Sequence, residues 1–296
     1  MSWQQFVMDL GNLDPERVEE FLTGHGACSI TYTDAGDKPV LEPGVGETPL
    51  WRDTRISALF AGDTDLSTLA DELGRTLCLN RQPAHRVEKL RDCAWEREWL
   101  KDFGPMQFGT SLWVCPGDSG APPGATVVRL DPGLAFGTGT HPTTALCLEW
   151  LDGLALDDKT LLDYGCGSGL LAIAALKLGC RRAVAMDIDP QAVTSTLHNA
   201  KRNAVSERLQ VVGSDAEIMS SYDVVVANIL AGPLLALAES VITRLSSGGE
   251  LALSGILSGQ VDRIHAAYDP WIQFDAPVFR SQGNQTWARL SGIRRD

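Results

Sequence analysis

The sequence predicts a two-domain protein in which a smaller α+β domain precedes a doubly wound α/β domain. After residue 160, short apolar runs alternate with segments of helical apolar spacing, which is typical of a parallel sheet covered by helices. Before residue 93, the segments follow the order strand, helix, strand, strand, helix, strand, which indicates a self-contained α+β unit. A chain of 296 residues is long enough for both.

The N-terminal domain is predicted to span residues 1–92. Its β-branched and aromatic runs indicate strands, and its amphipathic spacing indicates two helices. The predicted strands are 3–9, 28–32, 56–60 and 85–90, and the predicted helices begin at Asp14–Pro15 and span 65–79. This split βαβ order is the pattern of a ferredoxin-like domain.

Residues 93–110 differ from both flanks and are predicted to link the domains. Trp95, Trp99 and Phe103 recur every four residues with charges between them, which predicts a short amphipathic helix. The C-terminal domain is predicted to span 111–296. Its predicted strands are 112–115, 126–130, 160–164, 183–186, 209–212, 223–227 and 250–253, followed by 271–279 and 286–290 as an antiparallel hairpin. Helices are predicted at 141–151, 170–178, 191–204 and 233–245, and a last helix follows the strand 250–253 and ends at about 268.

The most informative stretch is LLDYGCGSGLLAIAA at 161–175. Gly165, Gly167 and Gly169 follow a short apolar strand and precede a helix, so the backbone can approach a ligand closely and the helix start offers free N–H groups. The G-x-G-x-G spacing differs from the G-x-G-x-x-G of dinucleotide enzymes, which disfavours a dehydrogenase. Asp163 requires an explanation, because an acid is unusual in a buried strand.

Further polar residues stand where later strands end, and ligands of open α/β sheets bind at the carboxyl ends of strands. Asp187 lies about 20 residues past the glycine loop, where an acid accepts hydrogen bonds from ribose hydroxyls. Asp189 precedes Pro190 and is expected to cap a helix. Asp215 is assigned to an adenine amino group from its strand position alone, and Asn228 ends the strand 223–227. Together these residues predict an adenosyl site.

The stretch LDPGLAFGTGTHPTT at 130–144 precedes the helix that starts near His141–Pro142. Thr140, Thr143 and Thr144 stand where the N–H groups of a helix start need oxygen partners. They have two interpretations: capping of the helix, or a flexible lid in which Thr144 reaches a ligand. His141 could act as a base, but a histidine beside a proline at a helix start more often has a structural role.

Composition excludes several classes of function. The seven cysteines form no C-x-x-C pair, so we predict no metal site. Their odd number and scattered positions predict reduced thiols in a cytoplasm. Cys166 is predicted to fill space within the glycine loop as a small side chain. The net charge of −13, with no basic segment, disfavours nucleic acid and is compatible with a basic protein partner. No apolar run is long enough for a membrane span, and the N-terminus does not resemble a signal peptide.

The residues 163–175 resemble the first motif of the class I methyltransferases that use S-adenosylmethionine. The resemblance implies that the loop with Gly165 and Gly167 wraps the methionine half of the cofactor, and that Asp163 reaches its ammonium through the loop. Asn228 resembles the acceptor-holding Asn of amine and amide methyltransferases. Ile229 and Leu230 replace the two prolines of that motif, and no aromatic follows, which disfavours a flat base or amide as acceptor.

The motifs DPGLAFGTGTHPTT (131–144), DYGCGSGLLAIAA (163–175), DIDPQAV (187–193) and VVANILAGPL (225–234), with WEREW (95–99), closely resemble the family that methylates large-subunit ribosomal protein eleven. The resemblance implies a ferredoxin-like substrate-recognition domain, a linker, a catalytic domain and methylation of α-amino and lysine amines. It places Thr144, Gly165, Asp187 and Asn228 on cofactor-contacting positions. We expect a cytoplasmic monomer. Two alternatives remain: a methyltransferase with another acceptor, and a non-catalytic nucleotide-binding domain.

Overall fold

The computed structural model describes residues 2–36, 49–79, 81–90, 104–117, 119–130, 140–218 and 220–296. The chain forms two compact units, Met1–Trp95 and Glu96–Asp296. The linker helix predicted around Trp95, Trp99 and Phe103 lies largely outside the described residues. Within the described ranges, no helix is both long enough and apolar enough to cross a membrane.

The first unit is a four-stranded antiparallel sheet with two helices. Its elements are β1 (Trp3–Asp9), α1 (Pro15–Gly24), β2 (Ser29–Asp34), β3 (Thr54–Ala61), α2 (Leu69–Thr76) and β4 (His85–Leu90), and the strand order is β2-β3-β1-β4. Phe6 and Met8 alternate toward the same face as Ile56 and Phe60, where they form a buried cluster with residues of both helices.

Helix α2 is shorter than the predicted span of 65–79. The carboxylate of Asp65 accepts a hydrogen bond from Ser67 N at 2.9 Å, which closes a turn before the helix and delays its start to Leu69. Helix α1 begins as predicted, because Asp14 accepts from Glu16 N at 3.0 Å and a proline occupies its first position.

The second unit has the alternating order that the sequence predicts. Its elements are β5 (Met106–Phe108), β6 (Leu112–Pro116), β7 (Thr126–Leu130), α3 (Pro142–Asp152), β8 (Thr160–Tyr164), α4 (Leu170–Lys177), β9 (Arg182–Met186), α5 (Pro190–Arg202), β10 (Leu209–Val212), β11 (Tyr222–Asn228), α6 (Ala231–Ala236), α7 (Ala238–Thr243), β12 (Leu245–Leu257), α8 (Val261–Tyr268), β13 (Ile272–Phe274), β14 (Val278–Gln282) and β15 (Gln285–Arg294).

The large sheet has the order β10-β9-β8-β11-β12-β15-β13, and β14 also pairs with β15. The five strands from β10 to β12 in this order run parallel, whereas β13, β14 and β15 pair antiparallel. The chain crosses from one side of the sheet to the other between β8 and β11. Because ligands of such sheets bind outside the carboxyl ends at this switch point, the expected site lies where β8 and β11 end.

Buried side chains cover both faces of the sheet and hold the carboxyl edge in place. One apolar cluster includes residues of α3 and α4, and a second includes residues of α6, α7 and α8. Strand β11 is buried from Val224 to Ala227, which explains its uninterrupted apolar sequence. Helix α4 is buried from Leu170 to Leu176, so the glycine loop that precedes it rests on a rigid support.

Three elements differ from the sequence-based expectation. The segment Met106–Phe108, which falls in the predicted linker, is strand β5 of a small sheet with β6 and β7. The helix predicted at 233–245 is interrupted at Leu237, whose φ of −102° and ψ of 8° are not helical. The strand predicted at 271–279 is interrupted between Phe274 and Val278, where Pro277 has no N–H to donate to a ladder.

Candidate functional site

The glycine loop turns sharply at the end of β8. Gly165, Gly167 and Gly169 have φ values of +80°, +53° and +76°, a region that other residues rarely adopt. The N–H groups of Gly165 and Cys166 donate to Met186 O at 2.8 and 2.9 Å, which ties the loop to β9. A Cβ at Gly165 would overlap the side chain of Ile229, so this glycine is also required by packing.

Asp163 is buried within β8, directly below the loop. Its Oδ2 accepts from Ala172 N in the first turn of α4 at 3.1 Å, whereas its Oδ1 is buried with no hydrogen-bond partner in the described structure. Burial raises the pKa of Asp163 to about 7, with a smaller contribution from the negative charge of Asp187. A buried oxygen of this kind would be stabilised by a cation at the loop.

Asp187 connects the ends of β9 and the glycine loop. Its Oδ2 accepts from Gly167 N at 2.8 Å and its Oδ1 accepts from Asp189 N at 3.0 Å. A carboxylate can accept about four hydrogen bonds, so Asp187 retains capacity for a ligand. Asp189 caps α5 by accepting from Gln191 N at 2.8 Å, which confirms its predicted role.

Asn228 and Thr144, which are 84 residues apart in the chain, meet at the site. The side-chain amide of Asn228, at the end of β11, donates to Thr144 Oγ1 at 3.2 Å. Thr144 is buried in the first turn of α3. His141 caps that helix, since its Nδ1 accepts from Thr143 N at 3.4 Å, and burial lowers its pKa. His141 therefore has the structural role expected, whereas the contact of Thr144 with a ligand stays a prediction.

Asp215 lies in a short 3-10 turn after β10 and is held by three protein donors. Its carboxylate accepts from Tyr164 Oη at 3.1 Å, from Ser240 Oγ at 3.0 Å and from Arg244 at 3.4 Å. Partial burial alone would raise the pKa of Asp215, but these hydrogen bonds lower it below its ordinary value. The adenine contact assigned to Asp215 stays a prediction, because the carboxylate already accepts hydrogen bonds from three side chains of the protein.

Sequence reasoning missed a row of polar residues on α5 that supports the glycine loop from behind. Thr196 donates to Gly167 O at 3.0 Å, and Asn199 donates to Ser168 O at 2.9 Å. Together with Asn203, which directly follows the last residue of α5, they are buried and are spaced i, i+3 and i+7 along the chain. Three polar residues at this spacing are a signal that the sequence did contain.

Ile188 is a second residue that sequence reasoning missed. It follows Asp187 directly and is 84% exposed, although isoleucine is usually among the most buried residue types. Cys166, by contrast, is buried, and burial raises the pKa of its thiol, so it fits the filler role rather than that of a nucleophile. Of the lid predicted at 130–144, residues 131–139 lie outside the described residues.

One cleft of this unit lies beside the first turn of α3 rather than at the glycine loop. It has a volume of about 320 Å³ and is lined by Met106, Gln107, Phe108, Thr140, Pro142, Ala145, Arg280, Ser281 and Gln282. None of the acids or glycines described above lines it, so geometry and chemistry favour the carboxyl edge of the sheet as the functional site.

The raised pKa of Asp163 predicts a pH-dependent stability in the absence of ligand. The folded protein keeps a proton on Asp163 up to about pH 7, whereas the unfolded chain loses it near pH 4. The free energy of unfolding therefore falls as pH rises through this window, by roughly 1.4 kcal/mol per unit. We expect Asp163→Asn to lose this fall in urea titrations at pH 5 and 8, and Asp189→Asn to keep it. An unchanged pH dependence in Asp163→Asn would contradict the assignment.

Comparison with known proteins agrees with this arrangement. The family model described as ribosomal protein L11 methyltransferase (PrmA) matches residues 2–295. The chain is 46% identical over 297 residues to the ribosomal protein L11 methyltransferase of Actinobacillus pleuropneumoniae serotype 5b (strain L20), and 47% identical over 297 residues to that of Shewanella baltica (strain OS223); both alignments cover 100% of each chain.

Among solved structures, the ribosomal protein L11 methylase of Lactobacillus delbrueckii subsp. bulgaricus is similar, with a TM-score of 0.59 and 31% sequence identity. The match covers 66% of this chain and 100% of that one. The large sheet is thus the α/β fold of a class I methyltransferase, as the sequence predicts. From the family match over nearly its full length, we conclude that this chain belongs to the ribosomal protein L11 methyltransferase family.

Proposed function

We propose that this protein transfers methyl groups from S-adenosylmethionine to the α-amino group and lysine amines of ribosomal protein L11. The observation that carries the proposal is the contact between Asn228 and Thr144, 3.2 Å apart, at the strand end beside the glycine loop. The cysteines of the described ranges are free thiols, which is compatible with a cytoplasmic protein. We further propose that it acts as a monomer.

The carboxyl edge fits the proposed methyl donor at each of its chemical groups. The unpartnered Oδ1 of Asp163 and the open glycine loop suit a cationic amino acid, and the spare capacity of Asp187 suits ribose hydroxyls. The exposed side chain of Ile188 suits one face of an adenine ring, and Asp215 stays a proposed neighbour of the adenine amino group. When bound, S-adenosylmethionine supplies an activated methyl group on a sulfonium.

The residues at the end of β11 suit an aliphatic amine as acceptor. The amide nitrogen of Asn228 donates to Thr144, so the carbonyl oxygen of the same amide is the atom that would accept a hydrogen bond from an amine. Leu230, which is 50% exposed, offers an apolar contact for the methylene groups of a lysine. A lysine amine is mostly protonated at neutral pH, so desolvation in the site must lower its pKa.

The function is tested by incubating the purified protein with ribosomal protein L11 and labelled S-adenosylmethionine, and locating the label by mass spectrometry. Methyl groups on the α-amine and lysines of ribosomal protein L11 are expected. If the enzyme binds the donor but transfers no methyl group to ribosomal protein L11, another acceptor is favoured. Donor binding without transfer to any protein or small-molecule fraction would favour a non-catalytic binding domain.

We also propose that the first unit is a ferredoxin-like domain that recognises the substrate. Its strand order β2-β3-β1-β4 and its βαββαβ sequence of elements support the fold. The acidic balance of the first 92 residues supports attraction of a basic protein. The proposed domain limits remain 1–92, a linker at 93–110 and a catalytic domain at 111–296.

Asp187→Ala should weaken donor binding by about 10- to 150-fold, because a charge-assisted hydrogen bond to a ribose is lost. Asp189→Ala is the matched control: it removes a neighbouring carboxylate that only caps α5. The control should lower the melting temperature and leave donor affinity within a few-fold of wild type. Calorimetric titration measures both. Equal affinities of the two variants would remove Asp187 from the donor site.

Asn228→Ala should reduce the rate of methyl transfer more than it reduces donor affinity or stability. A misplaced acceptor can cost about 100-fold in rate, whereas a half-buried amide at a strand end contributes little to folding. Thr144→Val should act in the same direction, because it removes the oxygen to which the amide donates, and Thr144→Ser should restore the rate. Single-turnover kinetics measure the rate of methyl transfer in each variant. A normal rate in Asn228→Ala would show that Asn228 only ends a strand.

A shortened chain that begins near Cys93 tests the recognition role of the first unit. Every residue of the proposed donor site lies after residue 130, so donor affinity should stay within a few-fold of the full chain, while methylation of ribosomal protein L11 should be nearly lost. Methylation at the full rate would show that recognition lies elsewhere. Aggregation or loss of donor binding would instead indicate that the first unit covers an apolar surface of the second.

A further inference from the structure

Ile229, the residue after Asn228, is confined between Gly165 and Gly255. In the sheet, Ala227 pairs with Tyr164 on β8, and Asn228 pairs with Ser254 on β12. Gly165 and Gly255 follow these two partners, and each approaches Ile229. A Cβ at Gly165 would overlap the Ile229 side chain, and a Cβ at Gly255 would lie 2.9 Å from Ile229 N and 2.7 Å from Ile229 C.

Gly255 occupies an irregularity in β12 that no other residue type would readily form. The pairing of β12 with β15 shifts register between Leu253 and Ile256, and Gly255 has a φ of +86°. One extra residue of β12 between two paired positions is the arrangement of a β-bulge. We refer to Ser254 and Gly255 as the β12 bulge.

The same bulge also contacts α3 beside Thr144. Ser254 is fully buried, and its hydroxyl donates to Ala288 O at 2.9 Å and lies within 3.4 Å of Thr143 O. Thr143 directly precedes Thr144, whose hydroxyl accepts from Asn228. The bulge therefore touches the backbone next to both members of the Asn228–Thr144 pair.

We propose that the β12 bulge is a positioning device for methyl transfer, which confines Ile229 and thereby fixes the amide of Asn228. The proposal rests on the proposed function, in which Asn228 holds the acceptor amine. Ile229 and Leu230 leave backbone freedom that a proline would remove. In this chain, close contact of Ile229 with the backbone at Gly165 and Gly255 supplies the restraint instead.

The test compares Gly255→Ala with Gly248→Ala on the same strand. Both glycines have positive φ, +86° and +68°, but a Cβ at Gly248 meets nothing within 4 Å, so the control carries the backbone strain without the contact. We expect Gly255→Ala to lower the single-turnover rate by about 10- to 100-fold, with donor affinity within about three-fold. Gly248→Ala should keep both the single-turnover rate and the donor affinity of the wild type. A wild-type rate in Gly255→Ala would overturn the proposal.

A double variant separates this proposal from the role of Asn228 itself. If the bulge acts through Asn228, Gly255→Ala should cost less than about three-fold in an Asn228→Ala background. Fully additive effects would overturn the proposal. A normal rate in Asn228→Ala alone would instead refute the acceptor role of Asn228, whatever Gly255→Ala does.

Ile229 provides variants that add no atoms, in case Gly255→Ala does not fold. Ile229→Ala removes the side chain that packs against Gly165 and leaves the backbone contact with Gly255. It therefore loosens one side of the confinement and should lower the rate in the same direction at nearly unchanged donor affinity. Ile229→Val keeps the branched carbon that faces Gly165 and should restore the rate. If Ile229→Ala and Ile229→Val transfer methyl groups equally fast, confinement of Ile229 does not position the acceptor.

Discussion

The hydrogen bond between Asp163 and the first turn of α4 is the constraint on which the site depends. It joins the end of a buried strand to the start of a buried helix, 3.1 Å from carboxylate oxygen to amide nitrogen. The segment between these points must reverse direction within a few residues, which requires the left-handed glycines of the loop. The same carboxyl group has a second, unpartnered oxygen, so the group that closes the loop also favours a cation beside it.

The remaining parts of the site are attached to this junction by polar contacts from other elements. Asp187 holds the loop from β9, and the buried polar row on α5 holds it from behind. Asn203, the last residue of that row, exchanges hydrogen bonds of 2.7 Å with both the N–H and the carbonyl of Arg129, where β7 ends. The glycine loop and the root of the predicted lid are thereby tied to one helix.

Much of this arrangement could be predicted from the sequence, because it depends on local patterns. The glycine spacing, the acid inside an apolar strand and the caps at Asp14 and Asp189 are each set by neighbours in the chain. Long-range effects were less accessible. The partners of Asp215 come from β8 and α7, so they do not follow from a linear pattern. The break at Pro277, by contrast, has a local signal in the sequence, because a proline cannot donate to a strand ladder.

The contact of Gly255 with Ile229 illustrates the same limit. A glycine in a strand indicates a bulge or a close approach, but only the fold shows which backbone approaches. The 131–139 segment and the linker helix are still predictions from sequence, as are the acceptor and the recognition role of the first unit.

The most direct measurement is a crystal structure of the protein with S-adenosylhomocysteine and a lysine peptide of ribosomal protein L11. The account predicts a ribose within hydrogen-bond distance of Asp187, an amino-acid moiety against Gly165 and Gly167, and an acceptor amine on the Asn228 amide. A nucleoside bound in the cleft beside Phe108 and Arg280, or an amine that does not contact Asn228, would contradict it.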